Sequence, residues 1–205
     1  MIKNIIFDIG NVLAKFQWAE LLEELQITGE AFEQVANATV RNSNMWNEFD
    51  RSELSDKEII EGCIQYAPNY EKEIRLLFEH CGRFVKEYAY SKDWIIELKE
   101  KGYHVYLLSN YAKTAFEAAK DTLQFYPFVD GEVISYQVKM IKPDARIYQI
   151  LLEKYSLKAE ECVFLDDRPE NIEGAKKLGF YGIVFTSKEE AEVKLEEIIK
   201  TQKRI

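Results

Sequence analysis

Four short segments hold the residues whose types and order could do chemistry. Asp8 follows the apolar run Ile5-Ile6-Phe7, and Ser109-Asn110 follows the run from His104 to Leu108. Ile141-Lys142-Pro143 precedes a helical pattern, and Asp166-Asp167 closes Val163-Phe164-Leu165. Together they supply three carboxylates, a hydroxyl, an amide and a lysine. Clustered carboxylates repel one another unless a cation sits among them, and a hard, oxygen-preferring ion such as Mg2+ is the natural solution. With a phosphate's charge neutralised by the metal and a lysine, one carboxylate can attack phosphorus. A hydroxyl, an amide and backbone N–H groups can hold the phosphate oxygens. The set suits phosphoryl transfer.

These residues meet only if the fold gathers the strand ends. Ile5-Ile6-Phe7, His104 to Leu108, Val163-Phe164-Leu165 and Gly182 to Phe185 are too short for helices and read as buried parallel strands, with Glu132 to Ser135 a weaker fifth. Helical patterns lie between them. Trp94, Ile95 and Leu98 precede the stop Gly102; Ile147, Ile150, Leu151 and Tyr155 follow Pro143; Ile172, Ala175 and Leu178 follow Pro169. Ser187 to Gln202 reads as an exposed amphipathic helix. The alternation predicts an α/β fold with a doubly wound parallel sheet, in which ligands bind beyond the carboxyl ends of the strands.

The stretch from Phe16 to Tyr88 breaks the alternation and has no convincing strand. Four helical stripes run through it: Leu21, Leu22 and Leu25; Phe32, Val35 and Ala36; Ile59 to Ile64 after the N-cap Ser55; and Ile74, Leu77, Phe78 and Cys81. Trp46, Phe49 and Arg51 fall in a turn of this insertion. The expected division is a core of residues 1–15 and 89–205 with a helical insertion over 16–88.

Composition narrows the partners. A chain of 205 residues with 47% hydrophobic and 31% charged residues predicts an ordinary soluble protein with a sizeable core. A net charge of −9 argues against nucleic acid and anionic membranes but leaves a small anionic metabolite open. Cys63, Cys81 and Cys162 lack metal-type spacing and read as free thiols. With no signal-peptide pattern and no span-length apolar run, the expectation is a cytoplasmic protein, a monomer or homodimer.

Phe7 to Leu13, Leu108-Ser109-Asn110, Lys142-Pro143 and Phe164 to Asp167, in that order, resemble the four motifs of the haloacid dehalogenase (HAD) superfamily. The resemblance covers essentially the whole chain and implies a Rossmann-like core with a small α-helical cap inserted after the first strand. Ile9 to Val12 and Lys142 to Tyr148 look more specifically like bacterial phosphatases acting on α-D-glucose 1-phosphate. The resemblance implies Asp8 as the nucleophile forming an aspartyl-phosphate, with Ser109 and Asn110 binding the phosphoryl group. It implies Lys142 pairing with nucleophile and phosphate. Mg2+ would be held by Asp8, the Gly10 carbonyl and Asp167, with Asp166 on the ion directly or through water and Asn171 supporting the shell. The substrate implied is a small phosphorylated metabolite such as a sugar phosphate.

One position departs from the family pattern. Most phosphatases of this kind carry a second aspartate two residues after the nucleophile, as acid and base, and here that residue is Gly10. Losing such a group typically costs about 10²–10⁴-fold, less when the leaving group is good. Two alternatives follow: a metal-free 2-haloacid dehalogenase, against which the Asp166-Asp167 pair argues, and a protein that binds a phosphorylated ligand without turnover. Taken singly, Asp8 is a possible turn residue, Asp166-Asp167 a helix cap and Lys142 a surface lysine. His80 and His104 read as structural; Lys15, Arg41 and Arg51 are either cations that meet a sugar phosphate or a solvated face. Arg168 reads as a local ion-pair partner.

Overall fold

The computed structural model describes residues 1–202. The first strand, β1 (Asn4–Phe7), leads through a turn into a short strand, β2 (Ala14–Phe16). Five α-helices follow: α1 (Trp18–Glu24), α2 (Gly29–Ala38), α3 (Ser43–Arg51), α4 (Asp56–Tyr66) and α5 (Glu71–Glu79). The strand β3 (Val85–Glu87) then returns antiparallel to β2. Beyond it come α6 (Ser91–Glu100), β4 (His104–Ser109), α7 (Lys113–Ala119), β5 (Gly131–Ile134) and α8 (Ser135–Val138). The chain continues through α9 (Ala145–Tyr155), β6 (Cys162–Asp166), α10 (Pro169–Lys176), β7 (Tyr181–Val184) and α11 (Lys188–Gln202).

The five long-range strands form one parallel sheet in the order β5-β4-β1-β6-β7. Its strands read as unbroken apolar runs because helices cover both faces. Successive side chains point to opposite faces. Accordingly, Ile5, Phe7, Val105, Leu107, Val163 and Leu165 share one core cluster with Trp94 and Phe116. Ile6, Leu108 and Phe164 share the other with Tyr148 and Ile172. Between β1 and its two neighbours the chain reverses its winding direction, and the carboxyl ends of β1, β4 and β6 open there.

Local chemistry sets the helix ends. Ser55 caps α4 in a reciprocal box with Glu58, the Ser55 N–H donating to Glu58 Oε2 at 2.8 Å and Ser55 Oγ accepting from the Glu58 N–H at 3.3 Å. Asp144 Oδ1 accepts from the Arg146 N–H at 2.8 Å at the head of α9, and Pro169 opens α10. Gly102, at φ +88°, ends α6 in a conformation other residues resist.

The structure differs from the sequence reading in the insertion. Its ends are tied by the β2–β3 pair, whose three-residue strands are too short to display an alternation. Trp46, Phe49 and Arg51 stand on a helix, α3, not in a turn. Asn42 Oδ1 accepts the Met45 N–H at 3.3 Å to start it, and the αL residue Ser52 ends it. The weak fifth strand is real and forms the sheet edge. His104 is exposed at the start of β4 and lies 3.9 Å from Asp130. No helix among the described residues is long and apolar enough to cross a membrane. The three cysteines are free and buried, and burial pushes the Cys63 and Cys162 thiols up to about 12, which disfavours the thiolate.

Candidate active site

Strand β1 ends in Phe7, so Asp8 is the first residue past the sheet edge, held there by its own N–H donating to the Leu165 carbonyl at 2.9 Å. Asp8 Oδ1 accepts from the Ile9 N–H at 2.8 Å and lies 2.9 Å from Lys142 Nζ. The side chain of Lys142 is only 1% exposed. Its ammonium donates to Asp166 Oδ2 at 2.6 Å and to the Leu108 carbonyl at 2.9 Å, and sits 5.3 Å above the Phe164 ring. Burial by itself would lower the Lys142 pKa; the Asp166 and Asp8 carboxylates outweigh it and hold the ammonium charged. Burial pushes the Asp8 carboxyl up to about 6, with Lys142 pulling it down and Asp166 pushing it up. A cation bound beside Asp8 would favour its ionised form.

Asp166 is fully buried behind this pair. Besides Lys142 it accepts from the Arg168 N–H at 2.8 Å, and the Asn171 amide lies 3.0 Å from each of its oxygens. Asp167 is partly exposed and accepts from Asn11 Nδ2 at 3.0 Å. One carboxylate oxygen from each of Asp8, Asp166 and Asp167 can be chosen so that all lie within 4.8 Å of one another. That spacing and all-oxygen donor set fit a hard divalent cation. Asn171 Oδ1 is buried beside the cluster without a protein hydrogen-bond partner, an acceptor that water on such a cation would satisfy.

Ser109 and Asn110 end β4 at the same edge. Ser109 is buried, and its hydroxyl favours the ionised form of Asp8. Asn110 faces the Lys142 main chain: its Oδ1 accepts the Lys142 N–H at 2.7 Å, and its Nδ2 donates to the Lys142 carbonyl at 3.1 Å. The side-chain amide thus fixes the lysine loop, and Asn110 also lines the cavity. Gly10 lines the cavity, and a Cβ there would meet nothing within 4 Å.

A cavity of roughly 230 Å³ lies over these groups. Asp8, Gly10, Ser109, Asn110, Lys142 and Asp167 form its floor; Val40, Trp46, Phe49, Asp50, Phe84 and Val85 of the insertion and its stem form much of the remaining wall. Asp8, Lys142 and Asp167 therefore surround one cavity beneath the insertion, while Asp166 stands behind it.

A family model described as haloacid dehalogenase-like hydrolase matches residues 2–179. The chain belongs to this hydrolase family. It is 26% identical over 184 residues to a sesquiterpene phosphatase of Aspergillus oryzae, covering 90% of each chain. It is 26% identical over 200 residues to a D-ribitol-5-phosphate phosphatase of Bacteroides thetaiotaomicron, covering 88% of this chain and 90% of the relative. The fold matches that of a HAD family enzyme from Bacteroides thetaiotaomicron solved with magnesium and inorganic phosphate, at a TM-score of 0.72 and 21% identity over 92% of this chain and 96% of that one.

Two residues of this HAD hydrolase escaped the sequence reading. Asn11, at φ +56°, donates from Nδ2 to Asp167 and accepts the Phe16 N–H at 3.1 Å on Oδ1, so one amide ties the acidic cluster to the stem of the insertion. Asp50 is a buried carboxylate on α3 that lines the cavity. Once α3 is known to be a helix, Trp46, Phe49 and Asp50 stand at i, i+3 and i+4, the spacing of one helix face. The other candidates have local partners and do not line the cavity: Lys15 pairs with Glu20, Arg41 with Glu33 and Arg51 with Glu48. Arg168 pairs with Glu170, as expected, but also reaches the cavity wall. His80 Nδ1 lies 2.9 Å from the Leu76 carbonyl, away from the site.

Proposed function

We propose that the protein is a Mg2+-dependent phosphatase of a small phosphorylated metabolite, with Asp8 as nucleophile and residues 16–88 as a cap over the substrate. The observation that carries this reading is the buried Asp8–Lys142 pair at 2.9 Å, set beside the acidic cluster on the cavity floor. Asp8, Asp167 and the Gly10 carbonyl would hold the metal, with Asp166 supporting the ion from behind. The ion would neutralise charge on the phosphate and on Asp8. Lys142 would meet a phosphate oxygen, and the Ser109 hydroxyl and the backbone beyond β4 would hold others. Asn110 would fix the Lys142 loop. Asp8 Oδ then attacks phosphorus, the alcohol leaves, and water hydrolyses the aspartyl-phosphate.

The cavity volume, near the lower end of small-molecule sites, favours a compact substrate, which supports a sugar or sugar-alcohol phosphate. The ribitol-phosphate relative points the same way. Phe16, Trp46, Phe49 and Phe84 give the wall an aromatic character that favours a second reading, a compact phosphate ester with an apolar face. The sesquiterpene phosphatase relative is consistent with it.

The test is phosphate release from a panel of sugar phosphates and short apolar alkyl phosphates, with Mg2+ and with a chelator, for wild type and Asp8→Asn. Metal-dependent release by the wild type alone is expected. Release that survives Asp8→Asn would remove Asp8 as nucleophile, and no release from any ester would remove the reading.

A further inference from the structure

The reaction just proposed moves a proton twice. An alcohol leaves phosphorus poorly as an alkoxide, and water attacks poorly unless it loses a proton. In-line attack by Asp8 puts the leaving oxygen on the face of phosphorus away from Asp8, and the water of the second step enters by that same face. The acid and base must therefore reach that face, either from the far wall of the cavity or from position 10, and Gly10 offers no side chain for it.

We propose that Asp50, carried by α3 on that far wall, is the general acid that protonates the departing alcohol and the general base that activates the water. The role rests on the phosphatase reading above. Asp50 is 8% exposed and lines the cavity that Asp8, Lys142 and Asp167 share. Its charged neighbours are engaged elsewhere: Arg51 with Glu48, Arg168 with Glu170, Lys142 with Asp8 and Asp166. Among the described residues no cation lies within ion-pairing distance of it. A buried carboxylate left without a counter-ion is a feature of working sites more than of cores.

Its main chain is held by the core. Ser135, fully buried at the start of α8, donates from Oγ to the Asp50 carbonyl at 2.6 Å and accepts the Tyr111 N–H at 2.8 Å. The end of α3 is thus fixed against the same loop that follows Ser109. Burial pushes the Asp50 carboxyl up to about 7, and Asp8 pushes it the same way against Lys142, Arg168 and Arg51. The first step uses its protonated form. The Tyr111 hydroxyl, which also feels this charge, is neutral.

The steps balance. Asp8 Oδ bonds to phosphorus, the ester P–O bond breaks, and the Asp50 proton goes to the leaving oxygen, releasing alcohol. Water then bonds to phosphorus, its proton goes to Asp50, and the P–O bond to Asp8 breaks. Inorganic phosphate leaves, with Asp8 ionised and Asp50 protonated as at the start.

The experiment compares Asp50→Asn with wild type, with Mg2+, on a sugar 6-phosphate and on 4-nitrophenyl phosphate, whose phenolate leaves without help. On the sugar ester, kcat should fall about 10²–10⁴-fold. On the aryl ester, the first equivalent of nitrophenolate should appear at the wild-type rate. Turnover should then slow as phosphorylated Asp8 accumulates, seen by mass in acid-quenched protein. The double variant Gly10→Asp/Asp50→Asn should recover sugar-ester turnover, because a side chain at position 10 enters open space in the same cavity. Wild-type turnover of both esters by Asp50→Asn, or equal loss on both without phosphoenzyme, overturns the proposal while leaving Asp8 as nucleophile. Turnover that survives Asp8→Asn, or an inactive wild type, removes the phosphatase reading and this role with it.

Discussion

Lys142 is a lysine with almost no access to water, and three oxygens make that possible: Asp8 Oδ1, Asp166 Oδ2 and the Leu108 carbonyl. A buried charge costs several kcal/mol unless partners replace its water. Asp50 is the contrasting case, a buried carboxylate with no counter-ion among the described residues, and stability should register it. An aspartate in the unfolded chain titrates near 3.8, whereas burial raises folded Asp50 to about 7. Between those values the native state keeps a proton that the unfolded state has lost, so its contribution to stability is full at acid pH and is lost as pH rises through 7. Asp50→Asn should match the wild type near pH 4 and exceed it near pH 8, by roughly 4 kcal/mol at most. Urea titrations of the two proteins without magnesium at both pH values check this, and a wild-type advantage at the higher pH would contradict it. At this scale, Asp8, Ser109, Lys142, Asp166 and Asp167 were legible because each ends or follows a strong apolar run or precedes a clear helix. Asp50 and Asn11 were not. Asp50 reads as one more charge in a polar stretch until α3 is known to be a helix, and the task of Asn11 depends on a partner 156 positions away in sequence.

The elements divide the work between floor and roof. The sheet places Asp8, Ser109 and Asp166 by strand register, with Phe7 beside Leu107 and Leu165. The roof depends on α3, which rests on α8 and is tied to it through Ser135. Ser135→Ala removes the donor to the Asp50 carbonyl and leaves the buried Tyr111 N–H without its acceptor, at about 1–3 kcal/mol. Its thermal midpoint should fall and its kcat should drop, while affinity for inorganic phosphate on the floor stays near wild type. Lost phosphate affinity with unchanged kcat would place Ser135 in the floor instead. The parallel sheet was legible because its strands are buried on both faces. The β2–β3 stem was not, since strands of three residues with one buried apolar side chain apiece carry no period. The start of α3 was hidden for another reason: it is set by the Asn42 cap, in a segment whose aromatic residues look like punctuation in a loop.

For the molecule as a whole, the family's fold joins a floor that carries the acidic cluster and Lys142 to a roof that carries Asp50. The net charge of −9 is spread over a chain whose cavity floor still carries a fully charged lysine, so local groups and not the overall field would receive an anionic substrate. The order of four segments along the chain was enough to identify the floor. The substrate was not legible, because the insertion side chains that wall the cavity meet only after it folds over the sheet.

The central claim is that Asp8 itself receives the phosphoryl group. Its most direct test is to mix the wild type with Mg2+ and a phosphate ester it hydrolyses, quench in acid during turnover, and locate added phosphate by peptide mass. A phosphoryl group is expected on the peptide that contains Asp8, lost in Asp8→Asn and absent when a chelator is present. A phosphoryl group on any other residue, or phosphate release undiminished in Asp8→Asn, would contradict it.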